Sequence, residues 1–75
     1  MLQKEQRVQN VRKAMKRYGI RIHDIAHGLE SPYHSVAGAI RNGSMSLDRL
    51  SKIEMLIADI IHERTKIAQA VREAV

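Results

Sequence analysis

With 75 residues and no cysteine, the chain has the length of a single domain and can build neither a disulfide nor a thiolate metal site. It has no Phe or Trp, so its core must come from Ile, Leu, Val, Ala and Met, and so light a core favours an obligate partner, most simply a second copy. The net charge of +5 is uneven: residues 1–21 set seven basic side chains against Glu5 alone, while residues 22–43 sum to −1 and residues 44–75 to zero.

A basic patch confined to one segment attracts a polyanion through phosphate contacts and counterion release. The plain alternative is a solvated face kept charged for solubility. The sequence shows no signal-peptide pattern, and no apolar run is long enough to span a bilayer. The expected location is the cytoplasm, in association with the nucleoid in a bacterial host.

Residues 2–18 read as a first helix. Val8, Val11, Met15 and Tyr18 form its core-facing stripe, which Leu2 can extend, and Gly19 ends it. Ile20-Arg21 connects to a second helix at about residues 22–27, in which Ile22, Ile25, Ala26 and Leu29 fall at helical spacing. Gly28 is free to take positive φ at its end. Ser31-Pro32 then has the form of a helix start, with serine as N-cap and proline at the first helical position. The third helix runs over 32–42 with Val36, Ala37 and Ile40 inward, and Gly43 stops it. Two short helices with a tight turn make a helix-turn-helix, whose second helix can enter the DNA major groove.

Ser46 caps a further helix, and Asp48 in its first turn suits the positive end of the dipole. From Ser44 to Val75 there is neither Gly nor Pro, so one long helix and two helices bent near His62 both fit. Leu47, Leu50, Ile53, Ile57, Ile60 and Ile61 suffice to cover the helix-turn-helix. Met55 and Leu56 then point elsewhere, and a helix apolar nearly all round needs a second surface. Ile67, Val71 and Ala74 continue the stripe in heptad fashion, interrupted by Arg64. The reading is a dimer interface built on Met55, Leu56, Ile60, Ile67 and Val71; the alternative is a fifth helix folding back on its own domain.

With the helices placed, the chain resembles the phage-repressor class of helix-turn-helix proteins, the Cro and lambda-repressor type. The resemblance is carried by Ala26, Leu29, Val36 and Ile40, by Gly38-Ala39-Ile40-Arg41-Asn42-Gly43, and by Ser46-Leu47 followed by Leu50 and Ile53. Residues 34–42 are also similar to the recognition segment of the small Ner-type regulators of transposing phages. The likeness covers about residues 8–60. The family usually has Gly directly after the Leu, whereas here Gly28 precedes Leu29 and Glu30 follows. From Ala26 to Gly43 the chain is also about one residue longer than the commonest spacing, which can move the base-reading positions by one.

The expected fold is therefore all-α: a compact four- to five-helix, lambda-repressor-like domain spanning residues 1–75. Its core covers about 8–60, and residues 61–75 form a C-terminal helical extension for dimerisation. The outward side of the third helix presents His34, Ser35, Gly38, Arg41 and Asn42 as base-reading candidates, since Arg suits guanine and Asn suits adenine. Gly38 leaves room either for close approach to DNA or for a packed neighbouring helix. Arg41 and Asn42 touch either bases or backbone, and Asn42 can simply end the helix. Phosphate candidates are Arg12, Lys16, Arg17, Arg21, His23, Ser31, Tyr33 and Ser44. Ser31 can cap as well as bind, and Tyr33 can serve the core instead.

His23 and His27 stand at i, i+4, a spacing that can chelate zinc, but no third ligand follows at a recognisable distance. Ile25 and Ala26 between them are needed for the core. With no nucleophile set, phosphate loop or paired carboxylates in the sequence, no catalysis, metal, cofactor or small-molecule ligand is expected. The resemblance implies a transcriptional regulator, most simply a repressor, acting as a homodimer on a duplex operator with two-fold symmetry. The alternative from another class keeps the fold but serves protein interaction, as an antitoxin or a phage inhibitor of a host protein, with residues 53–61 as the partner site.

Overall fold

The computed structural model describes residues 3–74. Among them the chain is all-helical, with α1 at Lys4–Tyr18, α2 at Ile22–Leu29, α3 at Tyr33–Asn42 and α4 at Leu47–Ala74. The extension of α1 through Leu2 lies outside the described residues. No helix is long and apolar enough to cross a membrane among the described residues.

Gly19 ends α1 in the left-handed conformation (φ 63°), and the Ile20 N–H returns to the Met15 carbonyl at 2.8 Å. That return tucks Ile20 into the core, a role its place in a connector did not disclose. Val8 and Val11 are buried and Met15 half-buried, but Tyr18 is exposed and lies under the Arg17 guanidinium, 5.6 Å from the ring centre. The predicted core stripe of α1 thus stops one position short, because the chain turns away at Gly19.

At the start of α2 the Asp24 carboxylate accepts the Arg21 N–H at 2.9 Å. The helix runs on to Leu29, past the expected stop at Gly28. The left-handed position is taken by Glu30 (φ 54°), whose N–H returns to Ala26 and His27. Gly28 remains helical, and a Cβ on it would meet the Leu56 side chain, so it is there for close packing of α4 and not for a turn.

The start of α3 also differs from expectation. Pro32 occupies the N-cap in extended conformation with no side-chain cap, and its carbonyl accepts the Val36 N–H. Ser31 stands outside the helix, its hydroxyl donating to the Leu29 carbonyl at 3.3 Å. Proline thus sets the extended φ of the N-cap instead of opening the first turn. Gly43 (φ 68°) ends α3 as expected, and Ser46 caps α4 by accepting the Arg49 N–H at 3.1 Å.

The 28 residues of α4 form one unbroken helix. At about 1.5 Å per residue it is roughly 42 Å long, close to the molecule's longest dimension of 45 Å. Its first half packs on α1 and α2, while α2 packs on α3. Ile25, Val36, Leu50 and Ile53 are fully buried where these helices meet, each worth roughly 1.5–3 kcal/mol relative to exposure. Met45, in the loop before α4, is buried with them. Arg7 ties α1 to α4 with hydrogen bonds to both Glu54 carboxylate oxygens, at 3.1 and 2.5 Å, and to Ser51. Leu56, expected to face away, is half-buried against the core, as are Ile60 and Ile61. Beyond Ile61 every described residue of α4 is exposed, with Arg64 reaching back to the ends of α1 and α2 and the last turns projecting from the domain.

Candidate nucleic-acid interface

The amphipathic split of α3 decides which of its side chains are available. Val36, Ala37, Ala39 and Ile40 are buried, while His34, Ser35, Arg41 and Asn42 are exposed on the opposite side. Gly38 is half-buried, and a Cβ built there meets nothing within 4 Å. Of the two readings of this glycine, packing against a neighbouring helix of the same chain is therefore removed. A side chain would fit, and none is present.

The two ends of α3 are held differently. At its start the Tyr33 ring rests against the His23 ring of α2, centroids 4.4 Å apart and planes tilted by 33°. This contact places both residues, each a phosphate candidate, at one exposed edge of the α2–α3 pair. At its end the Arg12 guanidinium of α1 donates to the carbonyl oxygens of Ile40 and Arg41. Arg12 is thus half-buried and turned toward protein, unlike the other cationic candidates. Lys16, Arg17 and Arg21 are exposed, as are His23, Tyr33 and Ser44, whereas Ser31 is half-buried in its turn.

Two hollows border this surface. One, of about 370 Å³, lies between α1 and the end of α3, with Lys4, Gln9, Arg12, Asn42 and Gly43 around it. The other, of about 300 Å³, lies between the α2–α3 turn and the start of α4, with Ser31, Ser46, Arg49 and Lys52 around it. Gln9, Arg49 and Lys52 were not among the sequence candidates. Each sits on a helix other than α3, so the packing of α1 and α4 sets its place, and the periodicity of α3 could not have named it.

Two charged residues of α4, Glu54 and Arg64, are tied to the other helices. Arg64, which interrupts the heptad-like stripe, reaches the Tyr18 carbonyl at the end of α1 and stands 3.8 Å from Asp24 at the start of α2. Glu54 is held below the ordinary carboxylate range, first by its hydrogen bond from Arg7 and then by that charge, with burial opposing both. Among the described residues, no three His, Asp or Glu side chains come together as a potential metal site. Comparison of the chain with protein-family models, with curated proteins and with solved structures finds no match.

The five residues expected at a dimer interface do not share one surface. Leu56 and Ile60 pack against the core of their own chain, while Met55, Ile67 and Val71 are largely exposed. At about 100° per residue, Met55 stands roughly 120–160° around the helix from Ile67 and Val71, so one flat partner cannot cover all three. Ile67 and Val71 continue the side of α4 that carries Leu50 and Ile53 into the core. They run past the point where the domain stops covering it.

Proposed function

We propose that this chain is a sequence-specific, double-stranded DNA-binding regulator of transcription with a lambda-repressor-like helix-turn-helix, acting as a homodimeric repressor on an operator with two-fold symmetry. The observation that carries the reading is the uncovered polar side of α3: His34, Ser35, Arg41 and Asn42 are exposed on a helix whose other side is anchored in the core. A helix so mounted can present an Arg and an Asn to base edges while the scaffold stays rigid. The cationic excess of residues 1–21 supports it, since exposed Lys16, Arg17 and Arg21 supply phosphate contacts without sequence preference. The projecting end of α4, with Ile67 and Val71 exposed, supplies an apolar stripe for a second copy. No catalytic role is part of this reading.

Of the partner site in the protein-interaction alternative, Ile53 and Ile57 are buried and Leu56, Ile60 and Ile61 half-buried in the chain's own fold, which leaves Met55 as its one large exposed apolar residue. The test compares two variants over a randomised duplex pool. Arg41→Ala should flatten preference at particular base pairs, and Lys16→Ala should weaken binding to all sequences and reduce the salt slope by about 0.9. Identical behaviour of the two would remove the division between reading and anchoring.

A further inference from the structure

The end of α3 is capped by another helix. The last C=O groups of any helix lack intrahelical partners. In α1 and α2 backbone N–H groups of the following turn meet some of them, from Gly19 and Ile20 and from Glu30 and Ser31, and Arg64 of α4 meets the Tyr18 oxygen at the end of α1. At α3 the donor is a side chain from α1. Arg12 Nε lies 2.8 Å and Nη2 2.5 Å from the Ile40 oxygen, and Nη2 lies 2.6 Å from the Arg41 oxygen. The planar fork of the guanidinium lets one group span two successive carbonyls, and its charge suits the negative end of the helix dipole.

We propose that Arg12 is a positioning residue for DNA recognition: it fixes the last turn of α3, from which Arg41 and Asn42 project, at a set angle to α1. This rests on the reading of α3 as the DNA-facing helix. It separates two basic residues that the sequence grouped together. Lys16, one turn further along α1, is exposed and free to meet a phosphate. Arg12 points inward with donors engaged, and its contribution to binding runs through the geometry of Arg41 and Asn42. A lysine keeps the charge and N–H donors of Arg12 but not the planar fork that spans two carbonyls, whereas a glutamine loses the charge and keeps an N–H group at the place of Nε.

The experiment uses the full chain with Arg12→Lys, Arg12→Gln, Arg12→Ala and, for comparison, Lys16→Ala. Amide exchange of the free protein reads the cap, and affinity for a duplex selected with the wild-type protein, measured against salt, reads recognition. The expected result is faster exchange in the last turn of α3, largest for Arg12→Ala and smaller for Arg12→Lys and Arg12→Gln, which keep donors without the fork. Affinity for the selected duplex falls roughly tenfold or more in Arg12→Lys, while its salt slope stays at the wild-type value. Lys16→Ala should do the reverse, leaving exchange unchanged and lowering the slope. Wild-type exchange in every Arg12 variant overturns the cap, and retained affinity in Arg12→Lys with a reduced slope in Arg12→Gln makes Arg12 an ordinary phosphate contact. If the wild-type protein selects no duplex, the DNA reading fails and takes the recognition role with it, while the exchange data still decide the cap.

Discussion

Leu56 occupies the space that a side chain at Gly28 would need: a Cβ there would stand 2.6 Å from Leu56 Cδ2 and 2.7 Å from Cδ1. The α2–α4 contact is close because position 28 has no side chain. Gly28→Ala would gain about 1 kcal/mol of helix propensity but must displace Leu56. The two substitutions should therefore be coupled. In a Leu56→Ala background, Gly28→Ala should stabilise by about 1 kcal/mol, and in the wild type it should be less favourable by at least that amount. Urea unfolding of the four proteins in the cycle measures this, and strict additivity would show that the contact has no energetic consequence.

At Gly38 the opposite holds. A Cβ meets nothing, so Gly38→Ala should stabilise the chain by about 1 kcal/mol. If the bare backbone is there for close approach of DNA, the same variant should bind its selected duplex more weakly. Stabilisation with undiminished binding would show that this opening is not used by the ligand.

The Arg7–Glu54 pair makes stability depend on acid. The folded Glu54 pKa is lowered, chiefly by the Arg7 hydrogen bond, so its contribution is full above the ordinary glutamate value and is lost as pH falls through the folded one. Wild type should exceed Glu54→Gln in stability near neutrality, with the gap closing on acidification. A gap constant with pH would mean the pair acts through packing alone.

How far this arrangement could be read from the residues depends on where each signal lives. Helix existence, the stops at Gly19 and Gly43 and the Ser46 cap are local, set by one residue's backbone freedom or one hydroxyl, and the chain displays them openly. The roles of Gly28 and Leu56 are not local. A glycine near a helix end can serve a turn or a close contact, and only the position of α4 chooses between them. Glu30 hid the turn because a residue other than glycine takes the left-handed conformation there, at a cost of about 1–2 kcal/mol. The exposed set on α3 followed from helical period once Val36 and Ile40 were assigned inward. Arg12 reads as a phosphate contact in the sequence because sequence gives charge and not direction, and its carbonyl partners lie 28 and 29 residues away.

The projecting end of α4 yields a prediction about assembly. Ile67 and Val71, one turn apart, are about 60% exposed and form an apolar stripe that a second copy would cover. Light scattering should give twice the chain mass for the wild type, and Ile67→Glu combined with Val71→Glu should return it to one chain. Because neither residue touches the domain core, the double variant should keep its folded core at high dilution. An unchanged mass would move the dimer seam elsewhere or remove it.

The most direct measurement is selection from a fully randomised duplex library with the wild-type chain. Enrichment of a consensus with two-fold symmetry, its half-sites about one helical turn apart, is the predicted result. Recovery of unenriched random sequence, bound only at low salt, would contradict the claim that the exposed side of α3 reads DNA.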